Sequence, residues 1–377
     1  MAKNVKIVIG ANYGDEGKGL VSYCLSKEAV HKGEKVLNVL FNGGAQRGHT
    51  AAGRVYHCQG AGEAIGADTY YNKWFMVDPI AMWIDDAKRV YIHPECRVVL
   101  PCDVVNNQRK ELMRGEKRHG SCGMGIFEAC KRCVNEQITI SIEDIFDDAQ
   151  SLYNKLIKIE ERFGFPRDFV YNNDNFMRAC AWVKENCYIV DDFRALFKEY
   201  DTIIYEGGQG LLLDQRLNEP ENGNFTTPSN TGVQNCISEV LNLDCSTEIF
   251  YVSRSYITRH GVGNIAFECS KDEINPAIYD ETNKTNPWQG SLRYGYLFVD
   301  GLFERISVDF EKCKLKLCGT ILVTPPRCNV VFTHLNESNG SLVYKEEYMS
   351  GYGILNKPGW INHIYASDRK DEMEIWK

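Results

Sequence analysis

The sequence predicts an α/β fold: one domain spanning 1–377, built around a mostly parallel central sheet with helical and loop insertions. Three observations carry this. The chain opens on an apolar run, a helix-period segment and a second apolar run, a βαβ-like unit. Glycine-rich or Ser/Thr-rich turns recur beside later apolar runs. No Pro/Gly/Ser linker, repeat or low-complexity segment divides the chain, and 377 residues with 44% hydrophobic content are ample for a large core.

Taken in order, Val5–Ile9 is a continuous apolar run and reads as a buried strand. Lys18–His31 reads as a helix with Leu20, Val21, Cys24 and Leu25 on one face, and Lys35–Phe41 as the second strand. Ile145, Leu152, Leu156 and Ile159 recur at helical spacing across Ile142–Arg162. Thr202–Tyr205 is a short strand entering "EGGQG", and Thr231–Leu243 a helix. Ile249–Ile257, Lys316–Val323 and Val330–Thr333 complete the expected strands.

A net charge of −8 disfavours bulk nucleic-acid binding but leaves room for a local basic site for a small anion. No run of eighteen apolar residues appears, and "MAKNVKIVIG" is no signal peptide; a cytoplasmic protein that binds no membrane is expected. The fifteen cysteines are odd in number and scattered, as befits small buried hydrophobes of a reducing compartment. Cys130 and Cys133 form the only C-x-x-C, with no second pair or ligand-spaced histidines, so no structural metal is expected there.

Six turns carry the chemistry: "GDEGKG" (14–19), "NGGAQRGHT" (42–50), "HGSCGMG" (119–125), "EGGQG" (206–210), "TTPSNTG" (226–232) and "TRHGVG" (258–263). The first is not a Walker loop. That motif needs Gly-x-x-x-x-Gly-Lys-Ser/Thr, whereas position 12 is Asn and position 19 is Gly. Gly17 to Gly19 can still offer backbone N–H groups to phosphate at a helix N-terminus, with Lys18 as a point charge. Asp15 and Glu16 would repel a bare phosphate, so a divalent metal, or a proton to be removed, should lie between. Asp15 could equally be a helix N-cap, and His49 a satisfied structural histidine. Gln209 could read a base edge or cap its own turn. Thr226, Thr227, Ser229 and Thr231 could donate to phosphate or cap a helix, and Lys131 and Arg132 could form a solvated face. Together the turns suggest a large polar site around a phosphate-bearing ligand.

The set, in order, resembles the adenylosuccinate synthetase family, from Val5 to Met373. The opening "YGDEGKG" is the specific element; "GGAQRGHT", "GSCGMGI", "EGGQGLLLD", "TPSNT", "YITRHGVG" and "SDRKDEM" support it. The resemblance implies a P-loop-NTPase-related fold. It also implies a C–N ligase that joins L-aspartate to a 6-oxopurine nucleotide through a 6-phosphoryl intermediate, with Mg²⁺ and a nucleoside triphosphate. By position, Asp15 would take the N1 proton and help hold Mg²⁺, and His49 would act as the acid in phosphoryl transfer to O6. Gly48 would give the metal its carbonyl, and Gln209 would hold the phosphorylated base. Lys18 joins these as a catalytic candidate. Asn12, Gln46, Ser121, Cys122, Thr227 and Arg132 would bind the purine nucleotide, Arg132 from a neighbouring subunit, which implies a homodimer. Gly14, Glu16, Gly17, Gly19, Thr50, His334, Asn336 and Ser367 would join Lys18, Gly48 and His49 at the triphosphate. Thr285, Asn286 and Arg293 would hold aspartate.

The departures are informative. Gln46 and Arg47 replace the family's Asn-Ala, Cys122 replaces a threonine, and Arg293 alone remains of an arginine-rich aspartate loop. The guanine-reading Thr-Lys-Leu-Asp is best matched by "THLN", ending in Asn336. These changes, and a chain shorter than most cellular members, point to a divergent branch of viral or accessory type. Phage relatives use dGMP to make succino-2-amino-2'-deoxyadenylate, and many lose the aspartate that this chain keeps as Asp15. That favours IMP as acceptor, with dGMP the alternative. Rival classes are an NTP-hydrolysing switch or ATPase, which leaves "EGGQG" and "TPSNT" unexplained, and a non-catalytic nucleotide binder, against which Asp15 and His49 both stand.

Overall fold

The opening apolar run forms β1 (Lys3–Gly10) in a computed structural model that describes residues 3–115, 120–135, 139–165, 172–214, 233, 236, 239–240, 243–280, 283, 287–317, 325–344, 347–350, 357–369 and 371–376. The strands that follow are β2 (Val36–Leu40), the hairpin β3 (His49–Ala51) and β4 (Arg54–Tyr56), β5 (Asp68–Tyr71), β6 (Val90–Ile92), β7 (Tyr188–Ile189) and β8 (Thr202–Gly210). After them come β9 (Cys245–Arg254), β10 (Ile257–Arg259), β11 (Glu268–Cys269), β12 (Arg293–Gly295), β13 (Arg327–Thr333), the hairpin β14 (Ser341–Tyr344) and β15 (Glu347–Ser350), β16 (His363–Arg369) and β17 (Glu372–Ile375).

Ten strands form the central sheet in the order β17-β16-β13-β9-β1-β8-β2-β5-β6-β7, parallel throughout except for the edge pair of β16 and β17. The near-continuous apolar character of β1 and β2 follows from burial on both faces. From β1 the chain passes through helix α1 (Lys18–His31) to β2 on one side, while β9 lies on the other. The strand order therefore reverses about β1, and the crevice at such a reversal is where open α/β sheets bind ligands.

One face of the centre packs Ile7, Val39, Tyr205, Ile249 and Val330 together. The other packs Val8, Ile204 and Phe250 beneath Val21 and Leu25 of α1. Burying each of those two helix side chains is worth about 1.5–3 kcal/mol, which fixes the N-terminus of α1 over the sheet edge.

The expected elements differ in places. The helical stretch 142–162 is two helices, Ile142–Phe146 and Ala149–Phe163, because Asp148 caps the second through the Ser151 N–H at 2.7 Å. Lys316 and Leu317, expected to begin a strand, end the helix Val299–Leu317, and 318–323 lie outside the described residues. Most of the expected helix 231–243 also lies outside them. No helix among the described residues is long and apolar enough to cross a membrane.

Candidate active site

The turn after β1 resolves the problem of its two acids. Glu16 points inward: Oε1 accepts from the backbone N–H groups of Asn12 (3.0 Å) and Gly14 (2.8 Å), and Oε2 meets Lys18 Nζ at 2.6 Å. Burial opposes its charge, but Lys18 and the two N–H donors outweigh this and hold its carboxyl below the usual range. A Cβ on Gly10 would fall 2.4 Å from Glu16 Oε2, so the strand must end in glycine for the acid to fold under it. Glu16 and Lys18 thus brace each other within the turn. Asn12 is also structural: its amide donates to Ser253 Oγ (2.9 Å) and accepts from Arg305. Asp15 is what remains outward, 30% exposed and at φ 60°, just before the Gly17 cap and the first N–H groups of α1.

The second corner comes from the loop after β2. His49 begins β3, against α1, where a Cβ on Gly19 would lie 2.5 Å from the His49 Cβ. Its Nδ1 donates to Glu206 Oε1 at 2.6 Å, and Arg47 donates to the same oxygen through Nη2. Glu206 Oε2 accepts from the Ala61 N–H at 2.9 Å. All three side chains are buried. Burial, then the charge of Arg47, push the His49 pKa down to about 4 despite Glu206, so the imidazole is neutral at pH 7 with Nε2 directed away from the pair. Arg47 Nε and Nη1, both atoms of the Gln46 amide and Asn42 Nδ2 are buried with no hydrogen-bond partner among the described residues. Such atoms call for a polar ligand or water. Gly48 and Thr50 are exposed beside them.

Glu206 stands in β8 where the register with β1 slips: Val8 faces Glu206, but Gly10 faces Gly210. This bulge carries "EGGQG" across the crevice, with Gln209 buried at its far end. The third wall follows β9, β10 and β13. Arg254 donates through Nε to the Asp15 carbonyl at 2.5 Å, and His260 Nε2 lies 3.4 Å from Asp15 Oδ2. Thr333 Oγ1 donates to the Glu16 carbonyl at 2.7 Å. His334 follows at φ 58°, held neutral by burial and by Arg254, and Asn336 is exposed on the next turn. Ser367 is buried on β16, donating to the Glu372 carbonyl at 2.6 Å. The loop with Ser121 and Cys122 packs on this wall, since a Cβ on Gly120 would meet Gly261 Cα at 2.4 Å. Ser121 accepts from Asn107, and burial raises the Cys122 thiol.

Two arginines are engaged within the chain. Arg132 is turned inward: Nε and Nη2 clasp Asp103 at 2.9–3.3 Å, and Nη2 also donates to the Val98 carbonyl. A reach into a neighbouring subunit would leave Asp103 buried without its cation. Arg293 forks onto Glu268 at 2.7 and 2.5 Å and donates through Nη1 to the carbonyls of Gly261 and Gly263, so it shapes the "TRHGVG" loop. Thr227, Thr285 and Asn286 lie outside the described residues.

Sequence reading passed over Glu206, Arg254 and His260. The signals were present: an acid opening "EGGQG", and a basic residue and a histidine in "SRSYITRHG". Among the described residues no three His, Cys, Asp or Glu side chains form a preformed metal cage. The part-exposed Asp15 carboxylate and the carbonyl of exposed Gly48 are hard oxygen donors, a set that suits Mg²⁺ completed by water and phosphate oxygens.

Against known proteins, the family model for adenylosuccinate synthetase matches residues 7–293. The adenylosuccinate synthetase of Alkalilimnicola ehrlichii is 29% identical over 326 residues, covering 78% of this chain and 71% of its own. That of Marinomonas sp. is 28% identical, covering 99% and 91%. Among solved structures, a fully ligated adenylosuccinate synthetase from Plasmodium falciparum superposes with a TM-score of 0.68 at 19% identity, over 89% of this chain and 77% of that one. The cyanophage S-2L succinoaminodeoxyadenylate synthetase bound to dGMP and dATP gives 0.54 at 14% identity, over 89% and 86%.

Proposed function

The chain belongs to the adenylosuccinate synthetase family of C–N bond-forming ligases of purine biosynthesis, and from that premise we propose that it joins L-aspartate to a 6-oxopurine nucleoside monophosphate, IMP first, with cleavage of a nucleoside triphosphate. The observation that carries this is the pairing of an outward carboxylate, Asp15, with a histidine fixed through Nδ1, His49, on two turns that touch through Gly19.

Asp15 would take the N1 proton of the base, which makes O6 the nucleophile toward the γ-phosphoryl group. His49, its Nδ1–H held by Glu206, would turn Nε2 to the phosphates and act as the acid once their charge brings a second proton to that nitrogen, while the α1 N–H groups and Lys18 would face the phosphates. The amine of aspartate then displaces phosphate from C6; the C–O bond breaks as C–N forms, and the amine proton leaves with it. Asp15 and Gly48 would hold Mg²⁺, which when bound neutralises charge on the phosphates. Gln46, Gln209, Ser121 and Cys122 would line the acceptor nucleotide, and Thr285, Asn286 and Arg293 the aspartate.

We assign the whole chain to one domain, because the central sheet draws strands from Lys3 to Ile375. A homodimer and a cytoplasmic setting follow the family. Assaying IMP, dIMP, GMP and dGMP against ATP, dATP and GTP, with and without aspartate, tests the reading. Adenylosuccinate formed from IMP only with aspartate is the expected result. Triphosphate hydrolysis indifferent to purine and aspartate would leave an ATPase. Turnover of dGMP alone would select the phage-type reaction, whose cyanophage neighbour shares the fold.

A further inference from the structure

We propose that His260, Asn283, Asp280 and Arg254 form a closed ring of contacts that aims the Asp15 carboxylate. The inference rests on the role given to Asp15 above. The ring leaves Asp15 by its side chain and returns to its main chain. His260 Nε2 lies 3.4 Å from Asp15 Oδ2 and 3.1 Å from Asn283 Oδ1. Asn283 donates twice to Asp280, from Nδ2 to Oδ2 at 2.8 Å and from the backbone N–H to Oδ1 at 2.9 Å. Arg254 Nη2 donates to Asp280 Oδ2 at 3.0 Å, and its Nε donates to the Asp15 carbonyl at 2.5 Å.

The donors and acceptors settle one another. Asp280 can only accept: burial works against its charge, but the Asn283 amide and the Arg254 guanidinium outweigh it and hold the carboxyl well below the usual range. Asn283 must therefore turn its NH₂ to Asp280 and its Oδ1 to His260. His260 must then carry its hydrogen on Nε2, donated to Asn283 with the Asp15 carboxylate 3.4 Å from the same nitrogen, while Nδ1 is buried with no hydrogen-bond partner among the described residues. His260 is a positioning residue, acting on the reaction through Asp15.

Asp15 needs such support. Its φ of 60° is a region that non-glycine residues hold only where their surroundings over-determine it. A base must also lie within hydrogen-bond reach of the proton it takes, and an aspartate on a turn between two glycines has little else to fix its rotamer. Arg254 pins the backbone and His260 the carboxylate, and Asp280 couples the two. The ring ties the turn after β1 to Arg254, His260, Asp280 and Asn283, and its Arg254–Asp15 contact spans 239 residues of chain.

The test compares His260→Ala, His260→Gln and Asn283→Ala with the wild type. It measures kcat, KM for each substrate, acceptor affinity by calorimetry, and amide hydrogen exchange at Gly14–Gly17. His260→Ala should lower kcat about 10–100-fold with acceptor affinity within about threefold, the cost typical of losing a group that orients a catalytic ligand. His260→Gln, whose NH₂ reaches the position of Nε2, should recover most of that loss. Asn283→Ala should fall between, and both alanine variants should speed exchange in the turn. Unchanged kcat in His260→Ala, or a glutamine variant no better than alanine, overturns the ring. If His260→Ala does not fold, the other two variants decide. A wild type without aspartate-dependent synthesis would defeat the functional reading instead, and the exchange measurement would still judge the ring.

Discussion

Adjacent residues of β8 lead to two buried carboxylates on opposite faces of the sheet, and the two are treated differently. Glu206 lies on the face toward the site, where Arg47 and His49 donate to it; burial opposes its charge, but these partners hold its carboxyl below the usual range. On the other face Glu239 accepts from Tyr205 OH at 3.0 Å and from Asn72 Nδ2 at 3.5 Å. Burial outweighs these two donors and the charge of Lys73, and pushes the Glu239 pKa up to about 7. The difference teaches that this core does not need a buried charge to pack. Charge is compensated where His49 needs a fixed anion beside it, whereas at Glu239 the proton is held more tightly.

The comparison can be broken most sharply at the groups the charged face serves. His49→Asn and Asp15→Asn should each lower turnover by about 10²–10⁴-fold while nucleotide binding survives, the usual cost of losing a positioned acid or base. Rate assays beside calorimetric titration check this; a near-normal rate in either variant removes that residue from the chemistry. Asparagine is the right replacement at 15, because it also tolerates the left-handed φ.

Next in size is Glu206→Gln. It leaves Arg47 buried without its counter-ion, and breaking a buried pair from one side costs about 3–5 kcal/mol. Denaturant unfolding should show that loss, with reduced turnover as His49 loses its anchor. Unchanged stability would mean Arg47 finds water.

Glu239→Gln should act the other way. The folded-state pKa of about 7 lies above the ordinary 4.5, so the folded chain binds the proton more tightly. That contribution is full below about pH 4.5 and is lost as pH rises through 7. The wild type should therefore lose stability across this window, and Glu239→Gln should flatten the slope and gain about 1–3 kcal/mol at pH 8. Melting curves from pH 5 to 8 test it; parallel slopes would show that Glu239 is already ionised.

Legibility followed the range of the contacts. β1, α1 and β2 were readable because an apolar run, a glycine turn and a helical period are local signals. Asp15 and His49 were readable because each sits in a compact glycine-bounded motif. Glu206 escaped because its partners, Arg47 and His49, are 159 and 157 residues away. His260 escaped likewise, since its link to Asp15 exists only once β1 and β9 are neighbours. Read as a solvated helix face after "GMG", Arg132 misled, because only the fold brings Asp103 against it. The strand expected from Lys316 misled because alternation in "CKLKLC" imitates a strand at the end of a helix.

The smallest expected effect concerns the open rim beyond both acids. Asn336 is exposed on the turn after β13, and its amide offers one acceptor and one donor edge. Adenine's N1 acceptor and N6 amino donor match it in two hydrogen bonds, whereas guanine's paired N1–H and N2 amino donors do not. ATP or dATP should thus serve at least as well as GTP, with Asn336→Asp shifting preference toward GTP. Values of kcat/KM for the three donors check this. A wild type preferring GTP by more than about tenfold, roughly 1.4 kcal/mol, would sink the proposal.

The missing Cβ of Gly19 has an evolutionary consequence. In a Walker loop the residue after the lysine carries the hydroxyl that holds magnesium. Here that volume belongs to His49, arriving from β3 across α1. The two designs are mutually exclusive at a single position. Gly19→Ser, one of the two changes that would bring this turn nearer the Walker pattern, would evict the imidazole as it installed the hydroxyl.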